Sequence, residues 1–216
     1  MSDTLSERLE RCYTAAVHDV MRLHGLDRFV LPWDIKALSP GKTLAGPAFT
    51  FRGRRAQGIK PHDTYLAWTQ FLGDIPAGSV GVCQPNDDKL AHMGELSAET
   101  LKHRGVKCYV VDGGCRDVSF VRRIGFPVWC RYATPADIVG NWLPEGFGEP
   151  VTIGDVVVNN GDYILADDDG VVSIPSGRVE EITAQTESLM ERENLVREAI
   201  LAGVHPRDAY LRYGKF

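Results

Sequence analysis

The chain has 216 residues, 44% of them hydrophobic, enough to bury a substantial core. Its 24 lysines and arginines face 29 aspartates and glutamates, and the net charge of −5 gives no electrostatic reason to expect nucleic-acid binding. An anionic small molecule would need a local positive spot. The N-terminus shows no basic region followed by an apolar run, and no stretch is apolar enough to span a bilayer, so a cytoplasmic protein with no membrane partner is expected. Five cysteines without a C-x-x-C pair argue for free thiols over a disulfide framework or a zinc ribbon.

In chain order, Thr4 and Glu7 have capping-box spacing, and Leu9, Cys12, Ala16 and Val20 continue one amphipathic helix to Gly25. A Pro- and Gly-rich stretch follows, in which AFTFR (48–52) reads as a strand. The spacing of Tyr65, Trp68 and Phe71 predicts a helix, SVGVCQ (79–84) a buried strand, and Leu90, Met93, Ala98 and Leu101 a second helix ending at Gly105. VKCYVVD and PVWCRYA are the next strands, joined by a short helix over VSFVRRIGF. From 151 short strands are expected, with turns at Asn160-Gly161 and Asp169-Gly170. A long helix then runs from after Ser176 to Gly203. Without a repeat or linker, one mixed α/β domain over 1–216 is the economical assignment.

The stretch VVDGGCRDVSF (110–120) ends a strand in two glycines and an Arg-Asp pair. It reads either as an ordinary turn with a solvated ion pair or as a site. In the second reading the glycines let a substrate approach the backbone, Arg116 offers a fork for a carboxylate, and Asp117 offers a hard oxygen to Mg²⁺ or Mn²⁺. Such a set suits a 2-oxo acid. Gly94 and Glu95 lie within or at the start of the predicted second helix. Were the helix to begin near Gly94, its free amides would favour an anion and Glu95 could hold a metal-bound water; the other reading of Glu95 is an ordinary first-turn acid favoured by the helix dipole. The acids of GDYILADDDGVV lack the calcium-loop pattern and read as a solvated turn, and the six histidines show no metal-ligand spacing. His92 and Asp88 lie near the Gly94 segment, either beside its pocket or on an exposed helix. No G-x-S-x-G, Walker loop or G-x-G-x-x-G after a strand is present.

AHMGELSAETLKHRGVKCYVVDGGCRD followed by GFPVWCRYATP, with SPGKTLAGPAFTF upstream and GDYILADDDGVVSIP plus the final helix downstream, resembles the RraA-like family. That family includes the class II 4-hydroxy-4-methyl-2-oxoglutarate/4-carboxy-4-hydroxy-2-oxoadipate aldolases and the bacterial regulators of ribonuclease E activity. The resemblance implies a swivelling β/β/α core, with a long C-terminal helix, assembled as a homotrimer or homohexamer with sites between subunits. It implies that Arg116 contacts the substrate carboxylate and oxo group, that Asp117 ligates Mg²⁺ or Mn²⁺, and that Glu95 supports a metal-bound water. Backbone amides after Gly94, at Leu96, Ser97 and Ala98, would hold the pyruvyl carboxylate. A further acid, Glu193 or Glu191, would reach in from a neighbouring subunit. Phe120 stands where many members carry an acid. The function expected is metal-dependent cleavage of a 2-oxo acid to pyruvate, with oxaloacetate decarboxylation as a side activity. The alternatives are a non-catalytic regulator binding a ribonuclease E-type partner and a metal-dependent sugar-acid dehydratase.

Overall fold

The computed structural model describes residues 3–216. Where the apolar periodicity predicts one N-terminal helix there are two, α1 (Leu5–Leu9) and α2 (Thr14–Leu23). The Thr4–Glu7 capping box starts α1 as expected. The break has a tertiary cause: the buried Asp167 carboxylate accepts the Thr14 amide and the Thr14 hydroxyl, each at 2.8 Å, and starts a new helix there.

The chain continues through β1 (Lys36–Ala37), β2 (Leu44–Arg55), α3 (Pro61–Asp74), β3 (Val80–Gln84), α4 (Glu95–His103), β4 (Cys108–Val111), β5 (Gly114–Cys115), α5 (Val118–Ile124), β6 (Val128–Cys130) and β7 (Tyr132–Ala133). It ends with β8 (Trp142–Glu145), β9 (Val151–Ile153), β10 (Val156–Val158), β11 (Tyr163–Ala166), β12 (Val171–Ile174), α6 (Val179–Leu201) and α7 (Pro206–Tyr213). The main sheet has the order β1-β6-β4-β3-β2-β11-β12, with β2, β3, β4 and β6 parallel. Along one edge β2 changes partner, from β11 beside 44–47 to β8 beside 52–55, and the sheet curls about it.

Residues of period two divide the sheet between two cores. Phe51, Cys83, Tyr109 and Val111 face α3, α4 and α5, where Trp68, Phe71, Leu101 and Val121 meet them. Ala48, Val80, Val82, Cys108 and Val110 face the β9–β10 hairpin through Val151, Ile153, Val156 and Val158. Buried on both faces, β4 is apolar throughout, as a central parallel strand must be. This is the expected β/β/α layering. A third core lies outside it, where α1, α2 and α6 cover Leu165, Val172 and Ile174 of the β11–β12 edge. All five cysteines are buried free thiols. Among the described residues no helix is long and apolar enough to cross a membrane.

One helix start is corrected, one turn is found as expected, and the reading of one group of acids is corrected in part. The helix predicted from Leu90 begins only at Glu95, because 91–93 is engaged in strand-like pairing. The turn expected at Asn160-Gly161 is present and links β10 to β11, strands of different sheets, while the β9–β10 hairpin turns at 154–155. Of the acids of 161–170, Asp168 and Asp169 are exposed in the β11–β12 turn as expected, but Asp167 caps α2, and the buried Asp162 accepts the amides of Asn159 at 2.8 Å and Ser176 at 3.0 Å.

Candidate active site

The carboxyl ends of β3 and β4, where open α/β sheets bind ligands, are followed by the two segments singled out in the sequence. Short backbone pairing joins them. The His92 amide donates to the Gly114 carbonyl at 2.8 Å and the Arg116 amide to the Met93 carbonyl at 2.9 Å, so 91–93 runs beside 114–116. On the other side the Arg131 amide donates to Gly113 at 2.9 Å, and β7 pairs with β5. Gly94-Glu95 is thereby carried to Arg116-Asp117.

The glycine pair of the Arg-Asp stretch serves packing and not, as the site reading expects, substrate approach. A Cβ on Gly113 would lie 2.8 Å from His92 Nδ1, and one on Gly114 would lie 2.5 Å from the Tyr132 ring and 2.7 Å from the Leu90 carbonyl oxygen. Gly94 is required by the site itself: a Cβ there would meet Asp117 Oδ2 at 2.8 Å and Arg116 Cγ at 3.0 Å.

Asp117 has left-handed backbone, φ 53 and ψ 34, a conformation that costs a non-glycine residue on the order of 1 kcal/mol. It precedes α5 without capping it. Its Oδ2 instead accepts the Glu95 amide at 3.1 Å, across the gap at the start of α4. Arg116 lies between two carboxylates, with Nε 3.3 Å from Asp117 Oδ2 and Nη1 donating to Asp137 Oδ2 at 3.0 Å. Partial burial works against the guanidinium charge, and the two carboxylates outweigh it, raising the Arg116 pKa above its ordinary value. Asp137 is the site residue that sequence reasoning missed. Its only local signal is an Asx turn, Oδ1 accepting the Val139 amide at 3.0 Å; the bridge from Ala91 to Asp137 is what places it.

These groups line one cleft of about 570 Å³. Gly94, Glu95, Leu96, Ser97, Arg116, Asp117 and Asp137 share it with a wall formed by Tyr65, Trp68 and Leu72 of α3 and by Ile138 and Val139. Ala98 does not join them: it is buried, and its amide is committed to the Gly94 carbonyl at 2.9 Å. The amides of Leu96 and Ser97 make no hydrogen bond among the described residues and remain open donors at the positive end of α4. Glu193 lies elsewhere, bonded to the Tyr13 hydroxyl and 3.1 Å from Lys215 Nζ, while Glu191 is exposed. Phe120 is outside the cleft, with the Arg123 guanidinium 4.9 Å over its ring. Cys115 is buried, and burial pushes its thiol up to about 12, which makes it inert at neutral pH. His92 is fully buried beside the cleft and is not on a helix, and Asp88 is exposed on the loop before it.

The Aldolase/RraA family model matches residues 14–173. The chain belongs to the RraA-like family. Protein DlpA of Legionella pneumophila is 29% identical over 94% of this chain, which spans only 33% of that longer protein. A Halalkalibacterium halodurans protein, provisionally named a 4-hydroxy-4-methyl-2-oxoglutarate aldolase, is 26% identical over 82% of this chain and 81% of its own. Among solved structures, Streptomyces coelicolor RraAS2, described as an unusual member of the RNase ES inhibitor RraA family, is 29% identical with a TM-score of 0.80 over 91% of this chain and 97% of that one. A structure described among novel cellulases from gut-associated microbes is 32% identical with a TM-score of 0.84, over 90% and 87% of the two chains. RraA-like proteins thus carry both enzyme and regulator names on the fold seen here.

Proposed function

We propose that this RraA-like protein is a divalent-metal-dependent lyase that cleaves a 4-hydroxy-4-methyl-2-oxoglutarate-like 2-oxo acid to pyruvate, and that it also decarboxylates oxaloacetate. The observation that carries this reading is the meeting of Arg116 and Asp117 with the open first turn of α4 in one cleft. The Halalkalibacterium relative's name supports it.

The donor set suits Mg²⁺ or Mn²⁺. Among the described residues Asp117 Oδ1 has no protein partner and no three His, Cys, Asp or Glu side chains form a metal-binding group, so one carboxylate would hold the ion with water and substrate oxygens completing its shell. Bound there, the ion would supply the Lewis acid that polarises the 2-oxo group. The residues of the chain do the rest. The Leu96 and Ser97 amides take the substrate's 1-carboxylate. Arg116, fixed between Asp117 and Asp137, faces the 2-oxo oxygen and stabilises the negative charge gathering there as the C3–C4 bond breaks into the pyruvate enolate. Glu95, acting through a water, takes the C4 hydroxyl proton, and the enolate is then protonated at C3. With oxaloacetate the same C3–C4 bond breaks, carbon dioxide leaves, and the same enolate is protonated. The cleft lining contains no lysine for a Schiff base. In a trimer or hexamer, Glu193, or Glu191 two residues before it, would reach a neighbouring subunit's site.

Pyruvate release from oxaloacetate and from 4-hydroxy-4-methyl-2-oxoglutarate, with Mg²⁺ or EDTA, tests the reading. The wild type is expected to turn over only with metal, and Arg116→Ala and Asp117→Ala to lose about a hundredfold or more of kcat/KM. A wild type that releases no pyruvate with any metal overturns it; turnover of sugar acids instead would point to dehydration. The Streptomyces relative favours a second reading, a regulator that binds a ribonuclease E-type partner, which a pull-down with a ribonuclease E scaffold fragment addresses.

A further inference from the structure

The wall of the cleft contributes one polar atom from α3. Trp68 is nearly buried in an aromatic cluster, its ring 5.0 Å from Phe71, 6.3 Å from Phe51 and 6.2 Å edge-on to Trp142, and its indole Nε1 donates to Ser97 Oγ at 2.8 Å. An indole N–H can only donate, so the Ser97 oxygen must be the acceptor. The proton of that hydroxyl therefore has to point elsewhere.

It does not turn back into its own helix. Helical Ser and Thr commonly bond the carbonyl four residues earlier, as Thr100 does with Leu96 at 2.7 Å. For Ser97 that carbonyl belongs to Met93 and accepts the Arg116 amide at 2.9 Å, the Gly94 carbonyl accepts the Ala98 amide at 2.9 Å, and Ser97 Oγ bonds neither among the described residues. Ser97 thus brings an O–H to the cleft beside its own open N–H and that of Leu96.

We propose that the Ser97 hydroxyl is a third donor to the substrate's 1-carboxylate and that Trp68 is its positioning residue, holding the hydroxyl in the donating orientation. The proposal rests on the lyase reading for the identity of the carboxylate. A rigid aromatic anchor is well suited to this role, because the serine rotamer is set before substrate arrives and less ordering is left to binding.

Pyruvate is the probe, with affinity measured by titration calorimetry and, separately, kcat and KM for oxaloacetate. Ser97→Ala is expected to weaken pyruvate binding and raise KM about tenfold with little change in kcat, and Ser97→Thr to restore most of the loss. Trp68→Phe, which keeps the ring and removes the N–H, is expected to weaken binding about threefold to tenfold in the wild-type background and not at all in Ser97→Ala. A merely structural tryptophan would weaken both backgrounds equally, and that result, or wild-type affinity in Ser97→Ala, overturns the proposal. A wild type that binds pyruvate, with the Ser97 effect, but does not turn over sinks the lyase reading alone. Turnover with an indifferent Ser97 sinks this inference alone, and a wild type that binds no pyruvate sinks both.

Discussion

His92 is a titratable side chain used for its shape. Its ring stands edge-on to Trp142 at 5.0 Å, fully buried, with neither nitrogen hydrogen-bonded among the described residues, and Asp87 Oδ1 is 3.7 Å from Nε2. Burial, against a weaker opposing pull from Asp87, pushes the imidazole pKa down to about 4 from its ordinary 6.5. The unfolded chain therefore binds a proton near pH 6.5 that the folded one refuses until near pH 4. Stability from this group is full above 6.5 and is lost as pH falls toward 4, by about 3 kcal/mol in all. Urea unfolding across pH 4 to 7 should show that slope in the wild type and a flatter one in His92→Leu; identical slopes would mean that His92 is not the group responsible. At this scale the sequence was legible where residues are neighbours in the chain: Arg116 and Asp117 stand together in it. Asp137 and the Trp68–Ser97 bond were not legible, because 21 residues separate Arg116 from Asp137 and 29 separate Trp68 from Ser97.

Among the elements, periodicity located most helices and strands, and the errors fall where a distant side chain or backbone interrupts the local pattern. Asp167 is the clearest case. Its carboxylate accepts the Thr14 amide and hydroxyl and also the Asp169 amide at 3.0 Å, while its own carbonyl accepts Trp129 Nε1 at 2.9 Å. One residue in a β-turn thus sets where α2 begins. Asp167→Ala leaves the buried Thr14 donors without a partner and is expected to cost about 2 kcal/mol by denaturant unfolding. A loss under about 0.5 kcal/mol would mean that the start of α2 is set by something else. The start of α4 follows the same logic: Leu90 and Met93 keep the buried character the helix period predicts, but the pairing of Ala91 with Gly114 holds them outside the helix. That shift makes Gly94 the cap and leaves the Leu96 and Ser97 amides open, so the site depends on the helix starting late.

For the whole molecule, the family match ends at residue 173, yet α6 begins at Val179 and fills the third core with Val179, Ile182 and Leu189. A chain cut after Pro175 would uncover Leu165, Val172 and Ile174 together with the inner faces of α1 and α2. It is expected to lose its cooperative thermal transition and its near-UV circular dichroism; a truncated chain that melts cooperatively would show the C-terminal helix to be an accessory. The sequence by itself determined the alternation of helices and strands, the β/β/α layering through its resemblance to a known family, the long C-terminal helix, and the candidate residues at the end of β4. These are properties of neighbouring residues, written in periods of two and 3.6 and in short turns. Only the tertiary structure decided that 91–93 pairs with 114–116, that Asp137 clamps Arg116, and that Trp68 holds the Ser97 hydroxyl. Each of these is a contact between residues distant in the chain, formed when the curled sheet brings the loops after β3, β4 and β7 to one edge, and no local pattern records it.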